Sequence, residues 1–212
     1  MSRGLFVVLE GPEGAGKTTL AAALAARMRA DGVDLVTVRE PGGTPVAEAL
    51  RSELLDSHGG WTAAAELLYM TTARADLVRK VIGPALEHGQ VVLSDRYDLS
   101  TMAYQGAGRG LPREHVEWVN RAATGGLAPD ITLVLDLDPA VGRDRQRSAG
   151  KGADRLERED IAFHDRVAAE YLAATGQGVH HLQAGASPER VLAQAWAVLA
   201  RLHPETFRPR AE

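Results

Sequence analysis

One stretch constrains the fold of this chain more than any other, namely residues 5–20, which read LFVVLEGPEGAGKTTL. Its part GPEGAGKT (11–18) matches G-x-x-x-x-G-K-[ST], and it lies between an apolar run typical of a strand and an Ala/Leu-rich run typical of a helix. Glycines in such a loop let successive N–H groups point at a phosphate, and the helix N-terminus adds partial positive charge. The stretch therefore predicts a phosphate-binding loop (P-loop) that holds a nucleoside triphosphate.

Strand-like and helix-like runs alternate along the rest of the chain. Such alternation predicts parallel strands joined by helical crossovers. The expected fold class is α/β, a P-loop NTPase-type five-stranded, mainly parallel sheet covered by helices on both faces. Because the 212 residues contain no internal repeat and no long linker, we expect one domain over residues 1–212. Predicted strands are 5–10, 33–38, 90–95, 130–137 and 178–183, and predicted helices are 17–30, 45–56, 62–88, 98–105, 113–124, 139–148, 156–174 and 187–202.

The amino-acid composition limits the classes of protein to which the chain can belong. The sequence has 45% hydrophobic and 25% charged residues, as ordinary globular domains do. Its formal net charge of −4 argues against a nucleic-acid partner, and no run predicts a signal peptide or a membrane span. The absence of cysteine excludes a disulfide framework, a thiolate metal site and a Cys nucleophile. We therefore expect a cytoplasmic protein without nucleic-acid or membrane partners.

The predicted strand ends gather the chemically suggestive residues. Ligands of open parallel sheets bind beyond the carboxyl ends of the strands, which here places residues 10–18, 39–44 and 95–97 along one edge. Arg39 and Arg96 stand at two of these ends, and guanidinium forks match phosphate oxygens without losing their charge. The sequence has no Asn-Lys-x-Asp run, the usual guanine-reading element, and we expect no long second domain that would couple hydrolysis to work. These features favour a kinase that acts on a small acceptor.

An ordered set of motifs resembles the thymidylate kinases, P-loop enzymes that phosphorylate dTMP to dTDP. The likeness covers nearly the whole chain. It implies transfer of the γ-phosphate of MgATP to dTMP, with ATP and dTMP as binding partners and Mg²⁺ as the cofactor. The motifs are EGPEGAGKTT (10–19), REPGGT (39–44), DRYDLSTMAYQG (95–106), PDITLVLDLDP (129–139) and DRLE (154–157).

The P-loop and the resemblance together imply the donor site. Lys17 is expected to bridge the β- and γ-phosphates, and Thr18 is expected to bind Mg²⁺. By the resemblance, Asp95 organises Mg²⁺ and its waters, and it is counted with Lys17 as a catalytic residue. The expected ATP-binding residues are Gly11, Pro12, Glu13, Gly14, Ala15, Gly16, Lys17, Thr18, Thr19 and Arg143.

The resemblance also implies an acceptor site. Arg39 and Arg96 would hold the dTMP phosphate, and Arg74 would donate to a thymine carbonyl. Glu13 would contact the sugar 3′-hydroxyl, which gives a reason for a carboxylate to stand beside phosphates. The other expected dTMP-binding residues are Met70, Ser100, Thr101, Tyr104 and Gln105.

Two positions depart from the family pattern. Met70 stands where the family commonly has a Phe that stacks on thymine, and either this thioether or the neighbouring Tyr69 could cover the ring. Gln183 stands where relatives often have an Asp, so the adenine contact in that loop stays open. The selectivity for dTMP over dUMP does not follow from the sequence.

Phosphoryl transfer requires positive charge around the moving phosphorus, but this P-loop contains no arginine. A basic segment, 142–158, follows the fourth predicted strand and is expected to form a mobile lid with glycines at its middle. It resembles the bacterial type of the family, in which a closing lid supplies an arginine. Arg147 and Arg155 are the predicted catalytic arginines, and Arg143 is the next choice. The segment also contains Arg145, Lys151 and Arg158.

The sequence is also compatible with two other functions. One is a kinase for dUMP, dCMP or a free deoxynucleoside, although two strand-end arginines favour a phosphorylated acceptor. Another is a P-loop switch that reports ATP to a partner, which would have no use for a base-reading Arg74 or a sugar-reading Glu13. The helix predicted at 62–88 is apolar all round, and the resemblance implies that it packs against its twin in a homodimer.

Overall fold

Five short runs rich in Val, Leu and Ile form one sheet, as the alternating pattern predicts. In the computed structural model, which describes residues 3–56, 60–148 and 154–207, every strand pairs in parallel, and the strand order is β2-β3-β1-β4-β5. The sheet is therefore wholly parallel, and the α/β fold class is confirmed. The strands are β1 (Phe6–Glu10), β2 (Leu35–Arg39), β3 (Val91–Asp95), β4 (Ile131–Asp136) and β5 (Val179–Gln183).

The central strand β1 is buried on both faces because its side chains alternate between two cores. Val7 and Leu9 pack into a cluster with residues of the first and last helices, including Leu24 and Trp196. Phe6 and its neighbours on the other face pack into a second cluster. Helices therefore cover both faces of the sheet, as expected for parallel strands.

Helices connect the strands and carry most of the predicted site. The segments between Leu77 and Gly83 and after Thr101 have π-helical geometry, which is frequent at functional sites. The helical segments are α1 (Lys17–Ala30), α2 (Pro45–Asp56), α3 (Ala63–Leu77), a π-helical turn (Val78–Ile82), α4 (Gly83–Glu87), α5 (Asp98–Thr101), a second π-helical segment (Met102–Gly108), α6 (Arg113–Thr124), α7 (Pro139–Ser148), α8 (Ile161–Leu172) and α9 (Pro188–Leu202).

Most bounds lie within one residue of the sequence prediction, but several elements differ by more. The helix predicted at 98–105 is α5 followed by a π-helical segment that ends at Gly108. The helix predicted at 62–88 is α3 and α4 joined by a π-helical turn, and β2 begins two residues later than predicted. The helix predicted from residue 156 begins at Ile161, because the Asp160 carboxylate caps it by accepting from Phe163 N at 2.7 Å. No helix in the described ranges is long and apolar enough to cross a membrane. Residues 149–153 of the predicted lid, with Lys151, lie outside the described residues.

Candidate active site

The P-loop follows β1 and leads into α1, as its motif predicts. Gly11, Gly14 and Gly16 have positive φ, a conformation that glycine adopts without steric cost. The Lys17 Nζ atom lies inside the loop, where it donates to the carbonyl oxygens of Gly11 at 2.8 Å and Pro12 at 2.7 Å. Burial, followed by the nearby Arg96 charge, lowers the pKa of Lys17 to about 7, against the opposing effect of Asp95. If a phosphate bound in the loop, Lys17 Nζ would donate to charged phosphate oxygens instead of two neutral carbonyl oxygens.

Thr18 and Asp95 meet beside the P-loop. The Thr18 hydroxyl donates to Asp95 Oδ2 at 2.7 Å, because β3 lies next to β1 in the sheet and both strands end at the same edge. A hydroxyl and a carboxylate are the hard oxygen donors that Mg²⁺ prefers. The described residues contain no cluster of three or more His, Cys, Asp or Glu side chains that could hold a metal ion by themselves. This fits an ion that takes its other ligands from a nucleotide and water.

Arg96 has an unusual backbone conformation. It is a non-glycine residue with φ of 79°, a strained geometry that clusters at functional sites. Its guanidinium donates to the hydroxyl oxygens of Ser100 at 3.3 Å, Tyr171 at 3.2 Å and Tyr104 at 3.2 Å. Burial opposes the Arg96 charge, but the neighbouring Tyr104, Tyr171, Glu13 and Asp95 raise the pKa of Arg96 above its ordinary value. The site therefore contains a permanent cation whose hydrogen-bond partners are neutral.

Lys17 and Arg96 open into one cavity of about 530 Å³, here called the central cavity. It lies between the P-loop, the carboxyl ends of β2 and β3, and the lid. Of the predicted site residues, its lining includes Glu13, Gly14, Gly16, Lys17, Thr18, Thr19, Arg39, Met70, Asp95, Arg96, Ser100 and Tyr104. The lining also includes residues that were not among the predicted binding or catalytic residues, namely Glu40, Pro41, Arg51, Leu55, Arg145, Gln146, Asp154, Leu156 and Glu157.

Arg39 and Arg51 stand on one wall of the central cavity. Arg39 pairs with Glu48 at 2.8 Å, in a half-exposed contact that a ligand phosphate could replace. Arg51 donates to the carbonyl oxygen of Pro41 at 2.9 Å. Burial, followed by the neighbouring Arg39 charge, lowers the pKa of Arg51. A third arginine therefore stands near Arg39 and Arg96, and the sequence pattern gave no signal for it because Arg51 lies in the middle of α2.

Arg74 does not line the central cavity but lies behind it, 3% exposed. Its Nε donates to the Glu40 carboxylate at 2.6 Å and its Nη2 to the Tyr97 carbonyl at 2.8 Å. Its Nη1 donates to the Thr101 hydroxyl at 2.7 Å and to the Asn120 side chain. Burial raises the pKa of Glu40, while the Arg74 charge lowers it. Since a guanidinium has five N–H groups, this network leaves one hydrogen on Nη2 for a ligand.

Thr101 and Gln105 also do not line the central cavity. Thr101 accepts from Arg74, as described above. The Gln105 side chain donates to Glu66 at 2.7 Å. Glu66 is fully buried, and it also accepts from Arg109 at 3.0 Å and from Arg155 at 2.6 Å. Glu66 therefore holds Gln105, Arg109 and Arg155 together outside the lining of the central cavity.

Glu13 projects from the P-loop into the central cavity. It accepts from the Tyr104 hydroxyl at 3.2 Å and from Gln146 of α7 at 3.3 Å. The carboxylate therefore connects the P-loop with the second π-helical segment and with the lid helix. Its place beside Tyr104 is compatible with the predicted contact to a sugar.

The lid arginines have different surroundings. Arg145 donates to the carbonyl oxygens of Gly14 at 3.3 Å and Ala184 at 3.2 Å, and it lines the central cavity. Arg147 is 78% exposed and pairs with Asp144. Arg143 lies 3.5 Å from Asp165 and borders a small cavity beside Glu13. Arg155 donates to Leu54 O at 3.0 Å as well as to Glu66. Among the described arginines of the predicted lid, Arg145 is the one that donates a hydrogen bond to the P-loop.

A second cavity of about 410 Å³, here called the outer cavity, lies on the other side of the P-loop. Its walls are mainly apolar, and Arg145 lines both this cavity and the central one. Gln183 is not among the lining residues. The lining consists of Gly14, Ala15, Gly16, Thr19, Leu20, Ala23, Arg145, Ala184, Ala186, Pro188 and Val191.

Known proteins resemble the chain over most of its length. The sequence model of the family described as thymidylate kinase matches residues 9–195. A thymidylate kinase of Cereibacter sphaeroides is 47% identical over 207 residues, covering 94% of this chain and 95% of the relative. One of Deinococcus radiodurans is 47% identical over 204 residues, covering 94% and 98%. The crystal structure of thymidylate kinase from Ehrlichia chaffeensis superposes with a TM-score of 0.76 at 28% identity, covering 93% of this chain and 98% of that one.

Proposed function

Because this chain belongs to the thymidylate kinase family, we propose that it transfers the γ-phosphoryl group of ATP to dTMP in the central cavity, giving dTDP and ADP. It is an ATP-dependent phosphotransferase of the nucleoside monophosphate kinase type. The observation that carries the proposed reaction is that Lys17 and Arg96 line the same cavity. One cation suits the tail of a triphosphate and the other suits a monophosphate.

ATP would bind along the P-loop. The backbone N–H groups of residues 11–18 and the N-terminus of α1 would hold the β-phosphate, and Lys17 would move from the loop carbonyls to phosphate oxygens. The outer cavity is the proposed site of the adenine ring, since its walls are apolar and it adjoins Gly14 and Gly16. Arg145 could then lie against the ring or the phosphates, because it borders both cavities.

Mg²⁺ would bind with the nucleotide at the Thr18 hydroxyl and the Asp95 carboxylate, which are 2.7 Å apart. When bound, the ion supplies positive charge that neutralises the phosphate oxygens during transfer. The protein holds Thr18 in the first turn of α1 and Asp95 at the end of β3, beside the P-loop. Asp95 therefore acts in the site as a ligand and an orienting group.

The acceptor would bind on the other side of the central cavity. Arg96 and Arg39 would hold the dTMP phosphate, and Arg51 stands near enough to join them. Met70 lines the cavity and is the proposed cover of the thymine ring. The remaining Arg74 N–H is the proposed donor to a thymine carbonyl. Glu13 and Tyr104 would face the sugar.

The reaction itself requires little proton transfer. The attacking oxygen of dTMP already carries negative charge, so positioning and charge neutralisation supply most of the catalysis. Lys17, Arg96 and a lid arginine provide that charge. Lid closure would exclude water from the γ-phosphate and thereby prevent ATP hydrolysis. Arg147 and Arg155 stay predicted catalytic residues, but the contact with Gly14 favours Arg145 for the donor phosphates.

Two further features of the enzyme are proposals. A homodimer would cover the exposed apolar side chains Leu68 of α3 and Trp118 of α6. The cytoplasm is the proposed location, because the reaction consumes ATP.

The proposed function is tested by measuring ADP formation with a panel of acceptors, namely dTMP, dUMP, dCMP and thymidine. We expect rapid turnover with dTMP and little without an acceptor. Free thymidine should react slowly, because it offers no phosphate to Arg39 and Arg96. Calorimetry that detects ATP binding but no dTMP binding at millimolar concentration would refute the proposal. Faster turnover with dUMP would locate the error at Met70 and the base pocket.

A further inference from the structure

A fully buried carboxylate, Glu10, lies directly behind Arg96 at the end of β1. It does not line the central cavity. Its Oε1 accepts from the backbone N–H groups of Tyr97 at 2.8 Å and Ser100 at 3.1 Å. Its Oε2 accepts from the Ser100 hydroxyl at 2.6 Å and the Tyr171 hydroxyl at 3.1 Å. Four donors therefore converge on a group that has no access to a ligand.

The two hydroxyls connect Glu10 to the Arg96 guanidinium. Arg96 Nη1 lies 3.3 Å from the Ser100 hydroxyl and 3.2 Å from the Tyr171 hydroxyl. A guanidinium can only donate, so both hydroxyl oxygens must accept from it. Each hydroxyl has one hydrogen. The two hydroxyl oxygens also lie 2.9 Å from one another, but a carboxylate is a stronger acceptor than either hydroxyl. Glu10 therefore turns both hydrogens toward itself and leaves oxygen lone pairs facing Arg96.

An indirect connection has an advantage over a direct ion pair. In the described parts of the chain, no carboxylate is paired directly with Arg96. A direct pair would neutralise the guanidinium and compete with a phosphate. Neutral hydroxyls hold the same nitrogen without cancelling its charge. The backbone bonds from Tyr97 and Ser100 also fix the chain just after Arg96, which has the strained φ of 79°.

We propose that Glu10 is a positioning residue for the acceptor phosphate, which orients Arg96 through the hydroxyls of Ser100 and Tyr171. This inference rests on the proposed function, in which Arg96 holds that phosphate. Glu10 does not touch the substrate, so it is not a catalytic residue. Its role is to set the polarity of the hydroxyls and the backbone conformation from which Arg96 extends.

The substitution Glu10→Gln tests this polarity with little change of shape. The amide oxygen can still accept from Tyr97 N and Ser100 N, but the amide nitrogen can only donate. The hydroxyls of Ser100 and Tyr171 would then accept from the amide and turn their hydrogens toward Arg96. We expect KM and Kd for dTMP to rise about tenfold. KM for ATP should change less than about twofold, because the P-loop contacts are untouched.

Two further variants keep the test decisive. Asp130→Asn is a matched control, because Asp130 accepts from Phe6 N at 2.7 Å at the opposite end of β1. It should lower the unfolding temperature without changing KM for dTMP. Tyr171→Phe removes one of the two connecting hydroxyls and should raise KM for dTMP alone. Combined with Glu10→Gln, it should raise KM by less than the product of the single effects, because both act through the same contact.

The outcomes separate this inference from the proposed function. Unchanged dTMP affinity in Glu10→Gln, or equal losses for ATP and dTMP, would overturn the positioning role. Effects on KM for dTMP that multiply when Glu10→Gln and Tyr171→Phe are combined would also overturn it. By contrast, a wild-type chain that does not phosphorylate dTMP would overturn the proposed function first. If Glu10→Gln does not fold, the dTMP affinity of Tyr171→Phe decides alone, and a wild-type value would refute the inference.

Discussion

At the residue scale, the ionisation of Lys17 depends on its surroundings in the P-loop. The ammonium group is buried, and two backbone carbonyls are its hydrogen-bond partners. Burial lowers the pKa of Lys17 to about 7, so part of the population is neutral at physiological pH. Triphosphate oxygens beside Nζ would favour the charged form and raise this pKa again. Binding of ATP should therefore be coupled to proton uptake.

This coupling can be measured by titration calorimetry in two buffers of different ionisation enthalpy. Above pH 7 free Lys17 is mostly neutral, so we expect uptake of nearly one proton at pH 8 and little uptake at pH 6. The affinity for magnesium-saturated ATP should fall as pH rises above about 7, by up to about tenfold per unit. Lys17→Arg is the control, since its guanidinium does not titrate. Equal proton uptake by both proteins would contradict the coupling.

The lid arginines give a second prediction at this scale. We expect Arg145→Ala to lower kcat by about 100-fold, because Arg145 contacts the P-loop and lines both cavities. Arg147→Ala should have a similar effect only if closure brings this exposed side chain to the phosphates. Arg155→Ala should mainly lower stability, since its guanidinium pairs with the buried Glu66. Single-turnover rates together with urea unfolding would separate these effects. A wild-type rate in Arg145→Ala would return the role to Arg147.

The sequence could locate a basic segment after β4, the predicted lid, but not which of its arginines faces the P-loop. Arg143 and Arg147 are four residues apart and share one side of α7, whereas Arg145 projects from another side. A signal was present in Gly142, the buried residue of α7. Residues three and four positions after it, Arg145 and Gln146, are the ones that contact the P-loop. A glycine within a helix often marks a close approach, so Gly142 indicates the side of α7 that faces the P-loop.

At the scale of elements, two glycines bring the lid helix against the P-loop. A Cβ atom at Gly142 would lie 2.4 Å from the carbonyl oxygen of Glu13, and one at Gly14 would lie 2.4 Å from the carbonyl oxygen of Gly142. Both contacts are with backbone atoms, which cannot turn aside. The approach of α7 to residues 13–14 therefore requires glycine on both sides.

Gly142→Ala should push α7 away from the P-loop. The backbone of this helical residue tolerates alanine, and helix propensity alone would favour alanine by about 1 kcal/mol. We nevertheless expect kcat to fall at least about tenfold, because the shift displaces Arg145. Val141→Ala, at a residue 42% exposed on the same helix, is the control and should keep its rate. Steady-state kinetics and thermal unfolding would be compared. Higher stability with full activity would show that the close approach is dispensable.

Helices whose ends are marked by clear sequence signals begin and end close to their predicted residues. The bounds of α1, α2, α6 and α7 match the prediction, and α9 begins after the Ser187 cap, one residue from its predicted start. The start of α8 was misplaced because DRLE has helical composition, yet it forms a turn in which the Asp154 and Glu157 side chains bond to each other's backbone. The sequence does not predict the π-helical turn within the helix predicted at 62–88. The spacing of apolar residues does not distinguish α-helical from π-helical hydrogen bonding.

At the scale of the whole molecule, strand order determines which predicted residues meet. The sequence placed Arg39, Asp95 and Arg96 at strand ends and Lys17 in the P-loop that follows β1, and the order β2-β3-β1 brings those ends together around the central cavity. Arg74 behaves differently, because a helix position does not reveal how many partners surround a side chain. Its contacts to Glu40 and Tyr97 come from distant parts of the chain. Tertiary pairing of this kind was not available from local patterns.

The apolar surface of α3 and α6 gives the last prediction. These helices pack against one another, and Leu68 and Trp118 are 56% and 71% exposed. Large apolar side chains in such positions are typical of an interface, and a two-fold axis would place the same surface on both subunits. We expect the wild-type chain to sediment as a dimer at micromolar concentration. Leu68→Glu and Trp118→Glu should each weaken the dimer by about 100-fold or more, since a carboxylate would be buried without a partner.

Leu172→Glu on α8 provides the matched control for this experiment. Leu172 is 68% exposed, so it tests the effect of replacing an exposed leucine by a charge on a different helix. We expect this variant to remain a dimer with an unchanged turnover. A monomeric wild-type chain would refute the proposed interface. If Leu172→Glu dissociated while Leu68→Glu did not, the two-fold contact would lie on α8 instead of α3 and α6.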